Sequence, residues 1–226
     1  MMLTGRNVVV VGGRGHVGRI LVDGLLAAGA GVIAVTRSPG AWSHPASGPC
    51  AMVVPARSSG PAAGGADAVR ESGMPVHAVV ASLGGWTLEE QLLDLPPERW
   101  RATLESHLTA HLLAAQEYVP LLAAGSRSPY LMLNGAASRR PMADAGSISV
   151  AGAGQAMLLQ TLRAQPGERR ARFHEVVLME AVSGDPRNLD PQAQIGPQQV
   201  VDAVTAVLND PDAPTSTLVK GSPSGV

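Results

Sequence analysis

Four valines run into V-G-G-R-G-H-V-G-R, and this junction holds the residues whose spacing most plainly suggests chemistry. Gly12, Gly13, Gly15 and Gly18 fit two overlapping patterns, G-x-G-x-x-G from Gly13 and G-x-x-G-x-x-G from Gly12. Glycines of this spacing let a tight turn bring backbone N–H groups against a pyrophosphate, and a helix N-terminus behind the turn adds partial positive charge. The pattern gains weight from its context, because it follows a strand-like apolar run and precedes a helical one. Gly12, Gly13, Arg14, Gly15, His16, Val17 and Gly18 are therefore candidate dinucleotide contacts. The next apolar run ends A-V-T-R-S. A carboxylate at Thr36 or Arg37 would suit the ribose 2′-hydroxyl of NAD, and there is none. Arg37 is suited to a 2′-phosphate, with Arg14 beside it, so the expected cofactor is NADP(H).

Those residues need elements to position them. Val17, Ile20, Leu21, Leu25 and Leu26 have helical spacing. Residues 7–12, 31–36, 51–55, 77–82, 130–135, 174–180 and 216–221 read as strands. They are continuously apolar rather than alternating, which implies burial on both faces and a parallel sheet covered by helices. Helical patterns occupy residues 97–124, with Trp100, Leu104, Leu108 and Leu112 at i+4, and residues 154–165 and 197–210. The expected fold is α/β, a single doubly wound parallel sheet (Rossmann fold) of about seven strands in the order 3-2-1-4-5-6-7, in one domain spanning residues 1–226.

Composition narrows the function classes. The chain has 226 residues and a formal net charge of -1, so no global charge draws it to nucleic acid or an anionic membrane. No apolar run is long enough to span a bilayer. The single cysteine, Cys50, fits a reducing, cytoplasmic setting.

The sequence resembles the short-chain dehydrogenases/reductases along nearly its whole length. V-G-G-R-G-H-V-G resembles the family's glycine loop. V-V-A-S-L-G-G (79–85) lies at its next cofactor-side strand end, which implies contacts from Ser82 and Gly84. L-M-L-N-G-A-A-S (131–138) resembles the strand leading to the catalytic serine, placed on Ser138. The resemblance implies a homodimer or homotetramer formed through the helices at 97–124 and 152–165. It also implies a Tyr that exchanges the carbonyl proton and a Lys four residues later that holds the ribose. These positions fall on Ile148 and Gly152. The only tyrosines are Tyr118 and Tyr130, and the only lysine is Lys220.

Four residues are candidates for replacement chemistry. His107 falls on the family's helix Asn and can relay protons near neutral pH. Ser138 can hydrogen-bond a substrate oxygen. Asp144 precedes the altered helix. Glu180, late in the sixth strand, is a carboxyl whose pKa burial would raise. His107 and His111 have a zinc-compatible spacing, but no third ligand is evident and no metal is expected. Loss of Tyr and Lys is expected to open a pocket lined by Ser138, Ile148, Glu180 and His107. Two functions follow. One is an NADP(H)-binding enzyme acting on a small organic substrate through a non-standard site. The other is a catalytically inactive protein that senses nucleotide or binds a partner.

Overall fold

Successive side chains of a strand face opposite sides of its sheet, so a run apolar at every position must be covered twice. In β1 (Asn7–Val11), Val8 and Val10 enter one core and Val9 and Val11 the other. β2 (Gly31–Thr36) divides in the same way, with Val32 and Ala34 on one side and Ile33 and Val35 on the other. Each fully buried valine or isoleucine contributes about 1.5–3 kcal/mol. The computed structural model describes residues 2–36, 51–55 (backbone only), 65–123, 128–166, 171–188 and 194–221. Arg37, Trp42 and Cys50 lie outside the described residues.

The remaining strands are β3 (Ala51–Pro55), β4 (Ala78–Ala81), β5 (Ser128–Gly135), β6 (Ala171–Leu178), the short β7 (Ala181–Val182) and β8 (Gln194–Ile195), and β9 (Ser216–Val219). Seven of them form one sheet in the order β3-β2-β1-β4-β5-β6-β9, with every neighbouring pair parallel. This is the expected doubly wound order. β7 and β8 pair separately. One face is covered by α1 (His16–Ala27) and α6 (Pro197–Asn209). These two helices pack so closely that a Cβ on Gly24 would stand 2.4 Å from Val201 Cγ2. The other face carries α2 (Ala66–Glu71), α4 (Ala110–Tyr118) and α5 (Gly146–Ala164). No helix among the described residues is long and apolar enough to cross a membrane.

Two helices depart from the sequence expectation. The long one is α3 (Pro97–Leu104), a π turn (Glu105–Thr109) and α4, and it closes in a 3₁₀ turn at Val119–Leu121 rather than running to 124. Pro120 lacks the N–H that an α-helical continuation needs. α5 begins at Gly146, eight residues before the expected 154. G-S-I-S-V-A-G-A-G is a poor helix former on propensity alone. A distant carboxylate offsets that weakness. Glu89 accepts the Ser147 backbone N–H at 3.2 Å and the Ser147 hydroxyl at 2.6 and 2.7 Å. A negative group at a helix start satisfies donors that have no partner within the helix and meets the positive end of its dipole.

Candidate functional site

The strand order reverses between β1 and β4, which opens a crevice at the carboxyl ends of the strands. The glycine turn lies there, and the structure explains its glycines one by one. Gly12 has φ +85°, and a Cβ on it would stand 2.0 Å from the Ser82 carbonyl oxygen. A Cβ on Gly18 would stand 2.2 Å from the Gly12 oxygen, and one on Gly13 would meet the Ala34 Cβ at 3.0 Å. Gly12 and Gly13 donate to the Val35 carbonyl at 3.0 and 3.1 Å, and Gly15 donates to Gly12 O at 3.0 Å. The turn is thereby tied to β2 and pressed against the end of β4. Gly15 is the N-cap of α1 and offers no side-chain cap. The first helical hydrogen bond is Arg19 N to Gly15 O, so the N–H groups of His16, Val17 and Gly18 have no acceptor within the helix. This is the geometry that holds a phosphate, and it brings the predicted residues 12–18 and Ser82 together.

His16 also joins two loops. Its Nε2 lies 3.1 Å from the Ser183 carbonyl, which only accepts, so Nε2 carries the proton. Two residues further on, Asp185 grips Arg187. It accepts from the Arg187 backbone N–H at 3.0 Å, from Nε at 2.9 Å and from Nη2 at 2.7 Å. These hydrogen bonds hold the Asp185 carboxyl below its usual range. Sequence reading passed over this pair, although the turn S-G-D-P-R-N carries a local signal for it.

His107 lies in the π turn and is directed at backbone. With its Nδ1 proton facing the Thr103 carbonyl, its Nε2 accepts from the Gly85 N–H at 3.0 Å. Its Nδ1 is 3.1 Å from the Thr103 oxygen and 3.0 Å from the Ser106 hydroxyl. The ring also stands where a Cβ on Gly84 would be, 2.6 Å from His107 Cδ2, and Gly84 has φ +92°. His107 therefore clamps the loop after β4. The carbonyl that the π turn releases at His107 accepts from Gln155 Nε2 at 3.2 Å. His111, one turn further on, is fully buried with no hydrogen-bond partner at either ring nitrogen among the described residues, and burial pushes it down to about 3. Among the described residues no cluster of three or more His, Cys, Asp or Glu side chains gathers to hold a metal ion.

The four residues proposed to line an open pocket go different ways. Ile148 is buried in a small apolar cluster with Ala137 and Ala145, against Trp86. Ala137 is thus an apolar neighbour of Ile148. Ser138 lies under Gly152, where a Cβ would meet Ser138 Cβ at 3.0 Å and Cα at 3.1 Å. The Ser138 hydroxyl donates to Gly135 O at 2.7 Å. The small residues of α5 therefore serve close packing, since no space for a lysine side chain's first carbon exists there without movement. Glu180 accepts the Gly221 backbone N–H at 2.8 Å and ties down the segment after β9. The Asp144 side chain is exposed, and its backbone carbonyl accepts from Glu89 N at 2.8 Å.

A second network was not legible in the sequence. The Glu175 side chain, only 4% exposed, accepts from Asn134 Nδ2 at 2.8 Å, from Ser216 Oγ at 3.1 Å and from Arg139. Asn134 also donates to the Gly152 carbonyl at 2.9 Å. This buried carboxylate, fully paired, links β5, β6, β9 and α5 at the position where the resemblance implied the lysine.

No protein-family model and no curated protein sequence matches the chain. Solved structures do match in fold. A short-chain dehydrogenase from Burkholderia cenocepacia J2315 in complex with NADP aligns with a TM-score of 0.84 at 21% identity, over 98% of this chain and 99% of that one. The RhlG/NADP active-site complex of Pseudomonas aeruginosa aligns at 0.79 and 19% identity, over 98% and 97%. A short-chain type dehydrogenase/reductase from Mycobacterium ulcerans aligns at 0.81 and 18% identity, over 99% and 94%. The chain has the fold of the short-chain dehydrogenases/reductases.

Proposed function

We propose that this protein is a divergent short-chain dehydrogenase/reductase that binds NADP(H) at the Gly12–Gly18 turn and does not reduce carbonyls by the family's tyrosine chemistry. The observation that carries the first half is the glycine cradle, in which a Cβ on Gly12 or Gly18 would collide with backbone oxygen at 2.0 or 2.2 Å. The pyrophosphate is assigned to Gly12, Gly13, Gly15 and the N–H groups of His16, Val17 and Gly18. The 2′-phosphate is assigned to Arg14 and Arg37, and Ser82 and Gly84 flank the nicotinamide half. The NADP complexes among the structural neighbours support the same cofactor. Bound there, the cofactor supplies a hydride donor or acceptor at the nicotinamide end.

The second half rests on Ile148 packed with Ala137 where the resemblance puts the proton donor. An apolar pair neither gives nor takes a proton. Turnover of a small organic substrate would need an acid from His107, Ser138, Asp144 or Glu180. The bonds of His107, Ser138 and Glu180 favour binding without carbonyl reduction over that reading. A fluorescence titration with NADPH and NADH tests the cofactor, with tighter binding of NADPH expected. NADPH oxidation in the presence of a carbonyl panel tests the chemistry, and none above background is expected. Equal affinity for both nucleotides, or substrate-dependent oxidation, contradicts the respective half.

Assembly as a homodimer or homotetramer is part of the same proposal. Val150 and Met157 lie two turns apart on α5 and are exposed, Met157 to 59%. Together with Ala153 they form an apolar stripe suited to a second copy.

A further inference from the structure

Arg187 is held more firmly than a half-exposed arginine needs to be. Asp185 takes Nε and Nη2 and also the Arg187 backbone N–H, which fixes both the plane and the position of the guanidinium. Nη1 makes no hydrogen bond among the described residues. It faces the loop after β4, where a Cβ on Gly85 would stand 3.4 Å from it. Gly85 is itself pinned by His107, whose Nε2 accepts its N–H at 3.0 Å. A directed donor pair is therefore set between two fixed loops, at the carboxyl ends of β4 and β6.

The strap that continues from Gly85 is amphipathic: its carboxylates are taken up by Ser147 and Arg99, and its leucines are open. Trp86 reaches the Ile148 cluster, while Leu88, Leu92 and Leu93 are 47%, 46% and 99% exposed. The strap is anchored as well, through Glu89 on Ser147 and Leu92 against Gly146. Three exposed leucines within six residues are unusual for a surface strap that leads away from a pre-positioned cation. We infer that Arg187 Nη1 and the Trp86–Leu93 strap form a binding site for an amphipathic carboxylate, with the acid head on Arg187 and an aliphatic body along the leucines. Its place beside the nicotinamide end rests on the dinucleotide reading above; its head and body contacts do not.

Asp185 cancels the charge of Arg187, so recognition comes from directed N–H donors rather than a long-range field. Preorganisation lowers the entropy lost when the head group docks. The ligand should then show head-group selectivity with weak salt dependence.

The test uses octanoate and octan-1-ol as probes on the full chain, by calorimetry with and without saturating NADP⁺. Octanoate is expected to bind about tenfold more tightly than octan-1-ol, the scale of one hydrogen bond to a charged group. Arg187→Gln should bring octanoate down to the level of octan-1-ol, with unchanged NADPH affinity and with octan-1-ol binding retained as the sign that the fold survives. Leu92→Ser, at an exposed position, should weaken both probes together. Equal binding of the two probes, no octanoate binding, or selectivity that survives Arg187→Gln overturns the inference. Loss of NADPH binding in the wild-type chain overturns the dinucleotide reading instead, since octanoate is also measured without nucleotide.

Discussion

At the residue scale the glycines divide by what surrounds them. Replacing helical glycine by alanine gains about 1 kcal/mol where the new methyl has room. At Gly152 the methyl would press on Ser138 Cα and Cβ, and on Asn134 Oδ1 at 3.2 Å, all held by the β5 turn. At Gly154 it would meet only the flexible end of Leu108, at 3.0 Å. Gly152→Ala is therefore expected to destabilise and Gly154→Ala to be neutral or stabilising, as read by urea unfolding. The same sign with comparable size at both positions would refute the packing account of α5. Gly12→Ala combines a positive φ, which costs about 1–2 kcal/mol, with a backbone collision. It should abolish NADPH binding and lower the melting temperature. The glycine turn was legible in sequence because its requirement is local: a strand, a turn and a helix within a dozen residues. The surroundings of Ser138 were not legible, for the opposite reason. Which residue of A-A-S faces Ile148 depends on the pitch of a 3₁₀ turn, Ala136–Ser138, that no periodicity records.

At the element scale, α5 is a helix whose first turns are held by another part of the chain. Glu89→Ala leaves the Ser147 hydroxyl and N–H without that acceptor, and a loss of about 1–2 kcal/mol is expected. Ser147→Ala, combined with it, should add little, because both act through one cap; full additivity of the two losses would count against the cap. Nothing near Ser147 announces its partner, which lies 58 residues away. That distance is why the start of α5 was missed. The helix carrying His111 has its own signature in pH. Burial holds the neutral ring at about 3 in the fold, whereas the unfolded chain takes up the proton near 6.5. The unfolded state then binds more protons, so stability falls as pH drops from 6.5 towards 3. Between pH 7.5 and 4.5 this group removes about 2–3 kcal/mol. In His111→Leu that part of the acid sensitivity should vanish, as measured by denaturation midpoints at the two pH values. An unchanged slope would mean that the ring is hydrated.

At the scale of the whole molecule, the doubly wound sheet was legible because the central runs of β1, β2 and β4 are apolar on both faces, and the strand order came out as expected. The site was legible only on its phosphate side. The proposed substrate side draws on Trp86, Ala137, Ile148 and Arg187, which come from four different loops and helices, and each is unremarkable alone. The apolar stripe on α5 should cover another copy. Met157→Glu is expected to shift the protein towards monomer in multi-angle light scattering, and a wild-type monomer at micromolar concentration would contradict the assembly. The central claim is that a nucleotide sits on the α1 N-terminus, and backbone hydrogen exchange with and without NADPH tests it most directly. The account predicts slowed exchange at the amides of His16, Val17 and Gly18 on adding NADPH, and no slowing there in Gly12→Ala. Unchanged exchange of these amides in the wild-type protein at saturating NADPH would contradict it.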